Sequence, residues 1–277
     1  MPEEPPIGII AGNGIYPATF VRAARAAGVE KLVVVAFKDE TEPSLEELVD
    51  VFSWFRVGQL GKLIKFFKRE GIDRVVMVGQ IAPKNLYEFR PDVRMALTIA
   101  KLKERNAESL FGAIGDELAK DGIELLPATT YLDDLLPGPG QVAGPALSKD
   151  RLEDISFGMN IAKEVSRLDI GQTVVVKKGT VLAVEAFEGT NEAVKRGGSL
   201  GKGGATMVKV SKPGQDFRFD VPVVGPETIR TAVKAGIDLV VIEAGHTLLL
   251  GGDEVAALCR DSKVAIWAED GSITIES

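Results

Sequence analysis

Residues 7–28, "IGIIAGNGIYPATFVRAARAAG", decide how the first half of the chain is read. An apolar run ends in the glycine turn Gly12-Asn13-Gly14. An alanine-rich helix follows, with Pro17 near its start and Gly28 as its C-cap. The same succession then repeats outward. "KLVVVAF" (31–37) is a buried strand. "GKLIKFFKREG" (61–71) is an amphipathic helix with Leu63, Ile64, Phe66 and Phe67 on one side and Gly71 as its stop. "RVVMVGQ" (74–80) is a third strand. Strands separated by helices of this length predict a parallel sheet with crossovers. Two further helices, "VRMALTIAKLKERN" (93–106) and "ESLFGAIGDELAKDG" (108–122), precede a strand-like "IELLPATTYL" (123–132).

The texture changes at "LLPGPGQVAGPALSKD", a Pro- and Gly-rich stretch that reads as a linker over 135–150. It separates a domain over 1–134 from one over 151–277. The second begins with the helix "DISFGMNIAKEVSRLDIG" (154–171), stopped by Gly171. The hairpin "TVVVKKGTVLAVEAF" (173–187) pivots on Lys178-Gly179. A glycine-rich loop, "RGGSLGKGGA" (196–205), leads into the strand "TMVKVSK" (206–212), and helix, strand, helix and strand close the chain. The fold class expected is α/β: an N-terminal Rossmann-like parallel-sheet domain and a C-terminal mixed α/β domain, with a ligand cleft between them.

Charge and composition narrow the function. The 277 residues are 45% apolar and 26% charged, as in folded globular chains, and the net charge of −7 argues against a general nucleic-acid binder. From Lys177 to Arg218 the balance reverses to +4, a basic island suited to one anionic ligand. Cys259 and His246 are the only residues of their kinds. An intrachain disulfide is therefore impossible, which fits a reducing cytoplasm, and zinc sites built from His and Cys clusters are excluded. No run resembles a signal peptide or approaches a membrane span, so a soluble cytoplasmic protein is expected, with peripheral membrane contact left open.

Several stretches carry chemistry or imitate it. Backbone amides at Gly12 and Gly14, before a helix, suit a phosphate or a nucleotide edge. The dinucleotide fingerprint is incomplete, since Pro17 replaces its third glycine and Asp39 comes late for its acidic residue; a plain tight turn is the alternative. "VGQIAPKN" (78–85) ends another parallel strand, and strand ends of one sheet share a crevice, so Gly79 and Gln80 would lie beside Gly12 and Asn13. "RGGSLGKGGA" is not a Walker A motif, because Gly203 follows the lysine where Ser or Thr is required. As a mobile loop carrying Lys195, Arg196 and Lys202 it could still close over an anion; a flexible surface hairpin is the alternative. Glu185 and Glu188 could ligate a metal or contact a ribose, or be solvated.

The densest charge pattern is "KVSKPGQDFRFDVPVVGPETI" (209–229). As a strand it would point Asp216, Arg218 and Asp220 to one face and Phe217 and Phe219 to the other, the two carboxylates about 13 Å apart. A bend at "VPVVGP" would let one aspartate hold Mg²⁺ while Lys209, Lys212 and Arg218 hold phosphate oxygens. A salt-bridged strand face is the alternative.

Taken with "GIIAGNGIYP" (8–17), "LEDISFGMNIAKEVSRLDIGQTVVVKKGTVLAVEAFEGT" (152–190) and "KPGQDFRFDVPVVGPETI" (212–229), the chain resembles the UDP-2,3-diacylglucosamine pyrophosphatases of the LpxI type, from lipid A biosynthesis. The resemblance implies two domains with substrate between them, and Mg²⁺-dependent hydrolysis giving UMP and 2,3-diacylglucosamine 1-phosphate. It places the catalytic aspartate, the one before the Pro-x-x-Gly-Pro turn, at Asp220. Asp216 and Lys209 are expected as its catalytic companions, with Asp216 and Asp220 as metal ligands. Gly12, Asn13, Gly14, Gly79, Gln80, Glu185, Thr190, Lys212 and Arg218 are expected to bind substrate. The partner is a UDP-linked diacylated lipid taken at the inner-membrane surface, with a homodimer possible. The rivals are a Rossmann-type oxidoreductase or nucleotide-sugar enzyme, and a non-catalytic nucleotide-lipid carrier.

Overall fold

Ile7–Ala11 form β1, whose five residues are all buried. A computed structural model describes residues 4–81, 91–104 and 106–271. β1 lies between two parallel partners, β2 (Leu32–Phe37) and β4 (Arg74–Val78). β3 (Val51–Phe55) and the short β5 (Glu124–Leu125) complete a parallel sheet in the order β3-β2-β1-β4-β5. The continuous apolar runs of β1 and β2 are what a parallel sheet covered on both faces requires. One face packs against α2 (Leu60–Arg69), α3 (Val93–Ala100) and α4 (Ala107–Lys120) in a core containing Ile64, Phe67, Met95 and Leu118. Burying a side chain such as Ile64 or Phe67 contributes roughly 1.5–3 kcal/mol. α1 (Tyr16–Ala26) buries Tyr16, Phe20, Val21 and Ala24.

The helix expected over 93–106 ends early, and the one expected over 108–122 follows it. α3 ends at Ala100, and α4 starts afresh where the Asn106 side chain accepts the Ser109 amide at 2.8 Å. The strand expected over 123–132 shrinks to β5.

The second sheet has the order β6-β13-β11-β9-β7-β8. β9 (Ala205–Lys209), β11 (Ile237–Glu243) and β13 (Ala265–Glu269) run parallel. β7 (Thr173–Lys177) and β8 (Thr180–Val184) form the expected hairpin, with Lys178 and Gly179 both at positive φ. β6 (Gly140–Ala143) pairs antiparallel with β13, so the Pro- and Gly-rich stretch supplies an edge strand. Val223–Val224 (β10) and Leu248–Leu249 (β12) make a separate small sheet. α5 (Lys149–Arg167) covers one face through Ile155, Met159 and Ala162. α6 (Thr190–Gly201), α7 (Pro226–Ala235) and α8 (Gly252–Ser262) cover the other through Val194, Ile229 and Val255.

Two readings are corrected here. Most of the glycine-rich stretch is helix rather than mobile loop. A Cβ on Gly197 would come 2.5 Å from Val175 Cβ, and one on Gly198 2.7 Å from Ala235 Cβ, so these glycines let α6 press against β7 and α7. α5 ends at Arg167, and its stop is not Gly171 but Asp169 just beyond it, which takes a left-handed φ of 54° while the Ile170 amide donates back to Val165. Gly171 serves close approach instead, to the Glu185 backbone.

The chain divides into two compact units. The described residues up to Asp133 form the first together with Asp216–Asp220, and Asp134–Gln215 with the rest form the second.

Candidate active site

Order in the first sheet reverses between β1 and β4, and open α/β sheets bind ligands at the carboxyl ends of the strands where this happens. Gly12-Asn13-Gly14 and Gly79-Gln80 occupy those two strand ends. The Gly12 amide donates to the Val78 carbonyl at 2.8 Å and the Asn13 amide to the Gln80 carbonyl at 2.7 Å, which places the two segments side by side. A side chain could not stand between them: a Cβ on Gly12 would lie 2.8 Å from the Gln80 amide nitrogen, and one on Gly79 2.7 Å from the Asn13 carbonyl oxygen. Gly14, at φ 84°, has open space where its Cβ would be. "APKN" of the stretch over 78–85 lies outside the described residues.

An acidic residue does reach this turn, though later in the chain than a dinucleotide fingerprint predicts. Asn13 Nδ2 donates to Glu40 Oε2 at 2.9 Å, and Glu40 is buried. Thr41 Oγ1 donates to the Ala11 carbonyl and accepts the Phe37 amide, tying the segment after β2 to the end of β1. The signal in the sequence was "KDET", directly after the second strand.

Asp216–Asp220 is a turn, not the expected strand. The amides of Phe219 and Asp220 both donate to the Asp216 carbonyl, at 3.2 and 2.9 Å. Arg218 closes on Asp216: its Nε meets Oδ1 at 2.9 Å and its Nη2 meets Oδ2 at 2.6 Å, and its amide also donates to Oδ1. These residues therefore do not share a pleated face. The charge-assisted fork outcompetes extended pairing because it satisfies both carboxylate oxygens within three residues. The Arg218 guanidinium holds the Asp216 carboxyl below its ordinary range and is itself held more firmly protonated. The turn is docked on the first unit by Phe219, whose ring centroid lies 5.7 Å from that of Phe111, and by the Ala128 amide, which donates to the Phe217 carbonyl at 2.8 Å.

The second unit gathers other expected residues. Thr190 Oγ1 donates to Glu185 Oε1 at 2.8 Å at the start of α6, and Lys209 ends β9 opposite Thr173, whose hydroxyl lies 3.5 Å from that of Thr190. Lys212 Nζ pairs with Asp169. Glu188, Lys195 and Arg196 are engaged in the surface ion pairs Arg196–Glu188 and Lys195–Glu192.

Glu243 escaped sequence reading because it ends an apolar strand. Burial pushes its carboxyl up, but Lys163 Nζ and the amide and hydroxyl of Ser211 all donate to it, and the balance leaves it below its ordinary range. The bond from Ser211 anchors the segment after β9 that carries Lys212. Burial pushes the Cys259 thiol up to about 11, so it is no nucleophile. The exposed His246 ring places Nδ1 3.0 Å from the Ala244 carbonyl oxygen.

Among the described residues no three His, Cys, Asp or Glu side chains group to hold a metal ion. Asp216 already gives both oxygens to Arg218. The donor set therefore does not fit an all-protein cage, but it fits the usual habit of Mg²⁺, which keeps waters and takes one or two carboxylates with substrate phosphates.

Comparisons with known proteins identify the family. The LpxI N-terminal domain family matches residues 6–135 and the LpxI C-terminal domain family residues 138–267. A relative from Caulobacter vibrioides, UDP-2,3-diacylglucosamine pyrophosphatase LpxI, is 31% identical over 95% of this chain and 97% of its own. Among solved structures, the biotin carboxylase subunit of pyruvate carboxylase is 13% identical over 61% of this chain with a TM-score of 0.26. The biotin carboxylase domain of Hydrogenobacter thermophilus 2-oxoglutarate carboxylase is 14% identical over 63% with a TM-score of 0.27. The chain spans only 34% and 35% of those two proteins, and the likeness carries no argument.

Proposed function

The chain belongs to the LpxI family, and from that premise we propose that it hydrolyses the pyrophosphate bond of UDP-2,3-diacylglucosamine in lipid A synthesis. Water is added across the anhydride, giving UMP and 2,3-diacylglucosamine 1-phosphate. What carries this reading is the full-length match to a relative of that printed activity. The paired strand ends at a sheet switch point support it further, since that is where a nucleotide is expected.

Each unit contributes residues to the proposal. In the first, Gly12, Asn13, Gly14, Gly79 and Gln80 would line the uridine side, where backbone can approach without a side chain intervening. Asp220 would orient the attacking water and accept its proton. Arg218, held charged by Asp216, would meet phosphate oxygen; the role proposed for Asp216 is to aim that guanidinium. In the second unit Lys209 and Lys212 would meet phosphate oxygens, with Glu185 and Thr190 as a hydrogen-bonding pair for the sugar. Mg²⁺, when bound through Asp220, would supply charge neutralisation at the phosphates.

The test is UMP release by wild type and Asp220→Ala, with Mg²⁺ and with EDTA. The expected outcome is Mg²⁺-dependent release that falls at least ~10²-fold in the variant. Full activity in the variant would sink the role of Asp220. Binding without release by wild type would favour the carrier instead.

A further inference from the structure

β11 is apolar from Leu239 to Ile242 and then ends on Glu243, a carboxylate only 4% exposed. Taking a charge out of water is costly even when it is paired. Lys163 of α5 supplies the opposite charge. Glu243 Oε2 also takes two donors from a single residue, the Ser211 amide at 2.8 Å and the Ser211 hydroxyl at 2.6 Å. The Ser211 carbonyl in turn accepts Ser166 Oγ at 3.1 Å. Each polar group of Ser211 is thus bound to a side chain, and Ser166, Ser211 and Glu243 are all buried.

This fastening acts on one point of the backbone, two residues after Lys209 and one before Lys212, at the carboxyl ends of β9 and β11. It continues on both sides. The Val210 amide donates to the Gln172 carbonyl at 3.0 Å, and the Lys212 amide to Gln215 Oε1 at 2.6 Å. The Lys212 side chain is held more lightly, since its ammonium pairs with the exposed Asp169 and such surface pairs contribute little. A fixed backbone beneath a lightly held cation presents that cation to an incoming anion with little reorganisation. Stability is a weaker explanation for the carboxylate. A leucine at 243 would continue the apolar run of β11, and a buried ion pair is often no more stabilising than apolar residues of like size.

We propose that Glu243 is a positioning residue for the hydrolysis: through Ser211 it fixes where Lys209 and Lys212 meet the phosphates. The proposal rests on the reading that these two lysines contact phosphate oxygens. Its test compares Lys163→Met with Lys163→Met/Glu243→Leu. The double variant buries neither charge, so it should unfold at the same urea concentration as the single variant or a higher one. Its kcat/KM for UMP release should nonetheless be at least roughly tenfold lower, because the lysines lose their alignment. Lys163→Met/Glu243→Gln keeps an acceptor for the Ser211 amide and should recover most of that loss. A leucine variant as active as Lys163→Met, or a glutamine variant no more active than the leucine one, overturns the proposal. Amide hydrogen exchange on the wild type needs no turnover. The Ser211 amide should be protected as well as those of Met207 and Val208 within β9, and exchange as fast as that of Gly214 overturns the anchor. Protection at Ser211 in a wild type that releases no UMP refutes the hydrolase reading rather than the anchor.

Discussion

Asp216 shows how a single pairing redirects the reading of a whole segment. Alternation along "DFRFD" favours a strand, but a carboxylate two residues from an arginine can close a bidentate fork, and the backbone follows it into a turn. The pairing has a consequence in acid. A carboxyl whose folded pKa lies below its ordinary 3.8 adds stability that is present above that value and is lost as pH falls through the lower, folded value. Urea unfolding should therefore show wild type losing more stability than Asp216→Asn between about pH 4 and pH 3. Parallel curves for the two proteins would mean that the fork contributes nothing measurable. The residue types near this site were legible from sequence, whereas their partners were not. Glu40 reaches Asn13 across 27 positions, and Glu243 meets Lys163 across 80.

Glycine is where reading by element failed and structure corrected it. "RGGSLG" has the composition of a loop, and each glycine in a helix costs about 1 kcal/mol against alanine. α6 forms there regardless, because Gly197 and Gly198 face β7 and α7 at distances that exclude a side chain. Gly198→Ala is a discriminating substitution. Propensity alone predicts a gain of about 1 kcal/mol, whereas overlap with Ala235 predicts a net loss of roughly 1–3 kcal/mol. Denaturant titration should show the loss; a stabilised variant would mean that α6 and α7 can move apart at little cost. By contrast, β1, β2 and β4 of the first sheet and the amphipathic α2 were legible at once, whereas β3 was not read from the sequence. Continuous apolar runs and a 3.6-residue period leave few other ways to bury those residues.

At the scale of the whole molecule, the chain passes between its units more often than a linear division suggests. Five residues of the first unit, Asp216–Asp220, arrive from within the second. Phe219 is their anchor. Phe219→Ala, from a partly buried site, should cost about 2 kcal/mol and lower kcat by more than ~10-fold through loss of alignment at Asp220; unchanged turnover would show that the turn holds its place without the ring. No helix among the described residues is long and apolar enough to cross a membrane. A transient contact with the membrane surface is proposed instead for Phe187, which is fully exposed, aided by the exposed Leu168 and Ile170. Phe187→Glu should reduce co-sedimentation with anionic vesicles, and equal sedimentation would remove this surface from consideration. By itself the sequence determined the parallel alternation of the first half, the hairpin at Lys178-Gly179, the mixed second sheet and the family. All of these rest on local period, turn chemistry or long matching stretches. Only the tertiary structure decided that β6 pairs with β13, that the glycine-rich stretch is a helix, and that Asp216–Asp220 turns and docks beside Phe111. Those outcomes depend on contacts between residues distant in the chain, whose packing and charge pairing override local propensity.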